Sequence, residues 1–272
     1  MRFDAYAGNV YGSASPEQVA EMLAFGLKAR VSRGKPRRRY SDVYEVKDGA
    51  VTCGWLGKDD HLDTTYFEFK GVTTPDAVAS LRKHWATVHR VSRVDSCEDY
   101  DDPTAFERLT AIMDGAKDPR VQSTMIAPRD GDRGRTFYWG AKSSAAMVRV
   151  YEAGKMQERL HHGKPDWVRA ELQMRPSKSI TKLASAFMTP LEVWGLSSWT
   201  TRAAEALSHV EVPRYVCPQE PPQFDRTTLY LARAFRRHFE EMQADFGSWE
   251  CIGTEIETIW KLDDEAKGKG PA

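Results

Sequence analysis

Between Gly134 and Pro176 the chain carries a tyrosine, two arginines and a glutamate at a spacing that suits phosphodiester chemistry. In Val168–Arg175, the apolar residues Val168, Ala170, Leu172 and Met174 alternate with Arg169, Glu171, Gln173 and Arg175. Period 2 marks a strand with one apolar and one charged face. Met147–Glu152 alternates as well, with Val148 and Val150 on one side and Arg149 and Tyr151 on the other. Laid side by side, the two strands bring Tyr151 close to Glu171, Arg149 and Arg169. A tyrosine can attack phosphorus while arginines neutralise the developing charge. The same rule puts Glu68 opposite Phe67 and Phe69, and Asp95 with Arg93 opposite Val94. If every apolar side faces helices, Glu68, Asp95 and Glu171 share one sheet face, and three carboxylates suit a hard cation such as Mg²⁺ or Mn²⁺. Each residue also has a plainer use. Tyr151 could pack, Arg169 and Glu171 could form a cross-strand ion pair, and Asp95 could cap a turn.

The elements that must position these groups read as α+β. Ser15-Pro16-Glu17-Gln18 is a helix start with a capping box, and the helix runs to about Ala29. Strands are expected at Tyr44–Val46, Ala50–Leu56 and Thr64–Lys70, then a helix from Thr74 to about Val88 and a strand at His89–Cys97. An acidic turn, Asp99–Pro103, precedes a helix at Thr104–Ala116 and a polar loop at Asp118–Gly134. Arg135–Gly140 and Met147–Glu152 form a hairpin pair, and Trp167–Arg175 a further strand. YFEFKG at Tyr66–Gly71 followed by Arg93–Asp95 echoes VYEAGK at Val150–Lys155 followed by Arg169–Glu171. The expected fold is a central antiparallel sheet with helices on one face, a pseudo-duplicated unit and a helical C-terminal region. Residues 1–60 would supply the first helix, a basic arm and the first strands, and residues 61–210 the catalytic domain. Residues 211–272 would be a proline-rich linker, a helix over Asp225–Phe246 and a polar tail from Asp263.

Composition limits the partners. The 272 residues hold 39 basic and 39 acidic side chains, so net charge is zero and any nucleic-acid contact must rest on a local patch. Lys28–Tyr40 is such a patch: Arg30, Arg33, Lys35, Arg37, Arg38 and Arg39 could hold phosphates as a flexible arm, or form a solvated loop. Four scattered cysteines without a C-x-x-C pair argue against zinc and for a reducing compartment. No apolar run reaches membrane-spanning length and no charged-then-apolar leader is present, so a cytoplasmic protein without membrane contact is expected.

Taken in order, RVDSCEDYDD, GRTFYWGAKSSAAMVRVYEAGK and WVRAELQMR resemble the replication initiation factor family, which includes rolling-circle plasmid initiators and filamentous-phage replication proteins. The resemblance covers about Tyr66–Arg175. It implies a metal-dependent tyrosine nickase that cleaves one strand of double-stranded origin DNA, stays linked to the 5′ phosphate and leaves a 3′ hydroxyl to prime synthesis. It further implies single-stranded DNA at the nick, a host helicase or polymerase as partner, and a homodimer as one assembly. The family's nucleophile matches Tyr151, its strand carboxylates match Asp95 and Glu171, and Lys155 is retained; Ala153 stands where the family more often has lysine. Arg149 and Arg169 would neutralise charge and Glu68 would complete the metal set. The paired-histidine strand of other relaxases is missing, since His161 and His162 fall in a loop. Two alternatives use the same residues: a DNA-binding regulator without chemistry, and a nuclease that activates water.

Overall fold

The computed structural model describes residues 1–266 except 13, 38, 62–63, 130–132, 157–162, 217–234 and 247. Arg38, His161 and His162 therefore lie outside the described residues, as does the expected helix start at Asp225. The chain divides into two compact units, Met1–Pro218 and Gln219–Ala272. In the first unit, ten strands form one sheet. They are β1 (Arg2–Val10), β2 (Arg30–Arg33), β3 (Tyr40–Asp48), β4 (Val51–Asp59), β5 (Thr64–Lys70), β6 (His89–Asp101), β7 (Ser123–Ile126), β8 (Thr136–Trp139), β9 (Ala146–Tyr151) and β10 (Trp167–Met174). Their order is β2-β3-β4-β5-β1-β6-β10-β9-β8-β7, and every pairing is antiparallel.

This order is a duplication. Adding five to each strand number turns β2-β3-β4-β5-β1 into β7-β8-β9-β10-β6, and the two runs meet at β1 and β6. The pseudo-duplicated unit is present, but the sequence echo joined the wrong strands. It matched β5 to β9 and β6 to β10, whereas the topology relates β5 to β10 and β1 to β6. On the register that relates Glu68 to Glu171, Ala5, paired with Lys70, takes the place that Asp95, paired with Gln173, has in the second half.

Strand β1 was not expected from the sequence because it does not alternate. Its small residues Ala5, Ala7 and Gly8 lie between β5 and β6, and the strand is buried from Ala5 to Val10. At Gly8, an added Cβ would stand 2.0 Å from the Arg90 carbonyl oxygen, so the neighbouring strand comes closer than any side chain allows. The sheet also runs unbroken past residue 60, through the β4–β5 pairing. The expected acidic turn is instead the end of β6, with Asp99, Tyr100 and Asp101 paired to β10. The expected polar loop contains the short edge strand β7.

One face of the sheet is apolar and covered by helices. Helix α1 (Pro16–Leu27) begins with the expected capping box at Ser15 and Gln18 and packs Val19, Ala20 and Leu23 inward. Helix α2 (Thr74–Trp85) buries Val78 and Leu81, and α3 (Ala105–Ala116) buries Phe106, Leu109 and Met113. Together with Phe67, Phe69, Val94, Val148, Val150 and Leu172 they form one core. Helices α4 (Ser179–Ser185) and α5 (Ser198–Ser208) follow β10. In the second unit two helices are described, Arg236–Phe246 and Trp249–Ala266, so the expected tail from Asp263 is helical as far as Ala266.

The alternation in β10 makes a direct test of this layering. Leu172 is fully buried in the core, so Leu172→Ala should cost roughly 2–5 kcal/mol in urea unfolding. A loss below about 1 kcal/mol would place Leu172 outside a packed interior.

Candidate active site

The other face of the sheet carries the charges. Strand β9 pairs with β10 so that Tyr151 stands opposite Arg169 and Arg149 opposite Glu171. The Tyr151 hydroxyl donates to Glu171 Oε2 at 3.1 Å, and Arg149 Nη2 reaches Glu171 Oε1 at 2.5 Å. Glu171 is 1 % exposed, and these two donors occupy both its oxygens. The Arg149 guanidinium lies 5.1 Å from the centre of the Tyr151 ring. Tyr151 is itself 3 % exposed, yet it lies outside the apolar core and on the opposite face from Val148 and Val150. The structure thus brings Tyr151, Arg149 and Glu171 together in one hydrogen-bonded group, with Arg169 beside it.

Arg169 is held by other carboxylates. Its Nε and Nη2 grip both oxygens of Asp99, at 2.6 and 3.0 Å, and its Nη1 reaches Asp4 at 2.9 Å. Burial opposes the guanidinium charge, but Asp99 together with Tyr151, Cys97 and Asp4 outweighs it and holds Arg169 protonated more firmly than a free arginine. Trp167 Nε1 also donates to Asp99 at 2.8 Å. Arg93, Asp95, Asp99, Arg149, Trp167 and Arg169 line part of a cleft of about 770 Å³.

The motif residues around Tyr151 serve mainly to hold the end of β9. Glu152 accepts from the Arg135 backbone N–H at 2.8 Å, from the Arg135 guanidinium at 3.0 and 2.9 Å, and from Lys155 Nζ at 2.9 Å. Lys155, expected to be catalytic, belongs to this clamp. Gly154 lies in the short 3₁₀ turn Ala153–Lys155, where an added Cβ would stand 1.9 Å from the Lys164 carbonyl oxygen. Glycine is therefore required for the turn to lie against that loop. Arg135 additionally covers the Phe106 ring at 4.2 Å, which ties the clamp to α3.

The three carboxylates expected to hold a metal do not converge. Glu68, on β5, accepts from Trp55 Nε1 at 3.0 Å and from Lys70 at 2.7 Å. Strands β1 and β6 separate it from Glu171, roughly 14 Å sideways at about 4.8 Å per strand, and it is level with Arg93 of β6 whereas Glu171 is level with Cys97. Alternation fixed its face correctly but carries no information on strand order. Asp95 is on β6, next to β10, and is gripped by both Nε and Nη2 of Arg93, the former at 2.9 Å. Burial pushes its carboxyl up to about 6, against the pull of Arg93. Among the described residues no group of three His, Cys, Asp or Glu side chains could hold a metal ion. The donor set as it stands does not fit the expected Mg²⁺ or Mn²⁺ site, because Asp95 and Glu171 each already carry an arginine.

Some site residues escaped the sequence reading. Asp4 lies on the unrecognised β1, and Asp99 in what read as a turn. Gln173 stands opposite Asp95 on the charged face, and its buried amide nitrogen has no hydrogen-bond partner. Its even spacing with Arg169 and Glu171 was a visible signal.

The basic arm is part of the sheet. Arg30–Arg33 is the edge strand β2, and Arg37 bridges to Tyr40. Arg33 pairs with Asp42 at 3.2 Å, Arg37 with Glu45 at 3.3 Å, and Arg39 with Asp59 at 2.9 Å. Arg30 and Lys35 are exposed. Hairpin formation wins over flexibility because Val31 packs on the core.

The clamp gives a pH test. Burial raises the Glu152 carboxyl, but Arg135 and Lys155 outweigh it and hold it down at about 2, against an ordinary 4.5. The unfolded chain then binds the extra proton first, so stability should fall as pH drops from about 4.5 towards about 2. Glu152→Gln should flatten that part of the melting-temperature profile. An unchanged slope would show that the clamp does not couple to folding.

No curated protein matches this chain. One solved structure that resembles it is titled "Structure of Rolling Circle Replication Initiator Protein from Geobacillus stearothermophilus". It is 15 % identical, the match covers 79 % of this chain and 98 % of that one, and the TM-score is 0.48. No helix among the described residues is long and apolar enough to cross a membrane. The family model for "Replication initiation factor" matches residues 95–194, a segment that begins at Asp95 and contains β9, β10 and the whole Tyr151–Arg149–Glu171 group. Over Asp95–Trp194 the chain is similar to replication initiation factors.

Proposed function

We propose that this protein initiates rolling-circle replication by nicking one strand of origin DNA, with Tyr151 as nucleophile. The observation that carries the reading is the Tyr151 hydroxyl donating to Glu171 beside Arg149 and Arg169, inside the matched segment. In this reading Glu171 Oε2 takes the phenol proton as the Tyr151 oxygen attacks phosphorus. The new O–P bond forms, the bond from phosphorus to the 3′ oxygen breaks, and that oxygen leaves as a hydroxyl by taking a proton from solvent water, while Glu171 later returns its proton to solvent. The product is a 5′-phosphotyrosyl linkage and a 3′ end from which synthesis can start. Arg149 now covers the Tyr151 ring; a phosphate entering the cleft would draw it across and uncover the hydroxyl. Arg149 and Arg169 then neutralise the charge that builds on the non-bridging oxygens. Gln173 offers an amide donor to the same phosphate.

A second reading, a DNA-binding regulator without chemistry, draws on the 3 % exposure of Tyr151. Both are separated on supercoiled origin plasmid. Tyr151→Phe removes one oxygen and should cost about 1–3 kcal/mol of stability. It should bind origin DNA but give no nicked circle and no covalent adduct. Glu171→Gln should retain the adduct and slow its formation by about 10²–10⁴-fold. Nicking by Tyr151→Phe at the wild-type rate would hand the chemistry to water or to Tyr138; a wild-type protein that binds origin DNA but never nicks it would establish the regulator.

A further inference from the structure

Strand pairing relates the two halves of the sheet position by position. Arg149 and Tyr151 stand opposite Glu171 and Arg169. At the matching places of the first half, Trp55 and Gly57 stand opposite Glu68 and Tyr66. The first half therefore keeps the carboxylate, has a glycine where the tyrosine would be, and has aromatic rings where the second half has arginines. Tyr66 stacks on Tyr40 at 4.7 Å, and Trp55 lies 4.9 Å from Tyr66 and 5.3 Å from Tyr40. All three are half-buried, and none packs on the apolar core beneath the helices. Arg37 covers the Trp55 ring at 4.4 Å and Arg39 the Tyr40 ring at 5.2 Å. Glu45 and Asp59 hold these arginines, and Lys47 also holds Glu45 at 2.9 Å, so Glu45 keeps a cation if Arg37 turns elsewhere.

We infer that the Tyr40–Trp55–Tyr66 platform stacks bases of a single DNA strand, with Arg37 and Arg39 on its phosphates. The inference rests on the reading that this sheet face handles DNA at Tyr151. Every base offers a π face, so such stacking is tolerant of sequence, and arginines add to it. Tyr66 is level with Arg90 of β6 and Tyr151 with Asp99, so the two are four strand spacings apart sideways and nine residues apart along the strands, on the order of 35 Å on one face. That span takes at most about ten nucleotides at 3.4 Å or more each. The platform would hold the strand several nucleotides from the cleaved bond after the duplex opens, a task that needs no nucleophile.

The test uses the full chain carrying Tyr151→Phe, so that no adduct forms, and a fluorescein-labelled oligothymidylate of about 15 nucleotides. In anisotropy titrations at one salt concentration, adding Trp55→Ala should weaken binding about tenfold. Trp55→Phe should restore most of it, and random duplex of the same length should bind all three proteins alike. A melting curve checks that each variant is folded. Should Trp55→Ala unfold, Trp55→Phe still decides, since it should bind while losing the part of the indole quenching that Trp55 contributes. Wild-type affinity in folded Trp55→Ala, equal losses on duplex, unchanged quenching in Trp55→Phe, or no oligothymidylate binding by the Tyr151→Phe parent would each overturn the platform. Failure of the nucleophile reading is separate, because it would show as adduct formation by Tyr151→Phe.

Discussion

Glu171 is a carboxylate with almost no solvent, and a buried carboxylate must find donors within the protein. Its two oxygens are satisfied by Tyr151 and Arg149, and this requirement organises the face around it. The strands that bring the donors are fixed on their other side, where Val148, Val150, Ala170 and Leu172 lock β9 and β10 onto the helical layer. A slip of one residue in either strand would drive charges into that core and valines onto the open face. The core therefore sets the register, and the register sets the site. The Arg135–Glu152–Lys155 clamp then holds Glu152, the residue just beyond the end of β9 at Tyr151.

The duplication assigns different work to the two halves of one sheet. In the second half the face collects guanidinium groups, carboxylates and a phenol, which suits a phosphate. In the first half the same positions collect rings, which suit bases. Arg2 and Asp4 belong to β1, yet Asp4 reaches across to Arg169. The central pair β1 and β6 therefore couples the halves as well as joining them.

Period 2 made the strands with two unlike faces readable. β5, β9 and β10 were placed on it, and with them Tyr151, Arg149, Glu171 and the face they share. α1 was legible from Ser15, Pro16 and Gln18, a local code that needs no tertiary information. The central strand β1 was not legible, because from Ala5 to Val10 it is buried, with Ala5, Ala7 and Gly8 against its neighbours, and no polar face alternates there. The missing strand had a consequence: without it, Glu68 and Glu171 read as neighbours on one face. Alternation says which face a residue takes and nothing about how many strands lie between two such residues. Asp99 was misread for a related reason, since its partner Arg169 is 70 residues away. Lys155 reads from the motif alone as a site residue, and the motif carries no sign that its ammonium pairs with Glu152.

The central claim is that Tyr151 becomes covalently joined to DNA, and the joined peptide tests it most directly. The protein would be incubated with a single-stranded origin oligonucleotide, digested with trypsin and nuclease, and the nucleotide-bearing peptide sequenced by mass spectrometry. Cleavage after Arg149 and after Lys155 releases Val150–Lys155, which contains Tyr151. The account expects the 5′-phosphonucleotide on that peptide. Finding it on Thr136–Lys142, which contains Tyr138, or recovering no modified peptide from oligonucleotide that has been cut, would contradict it.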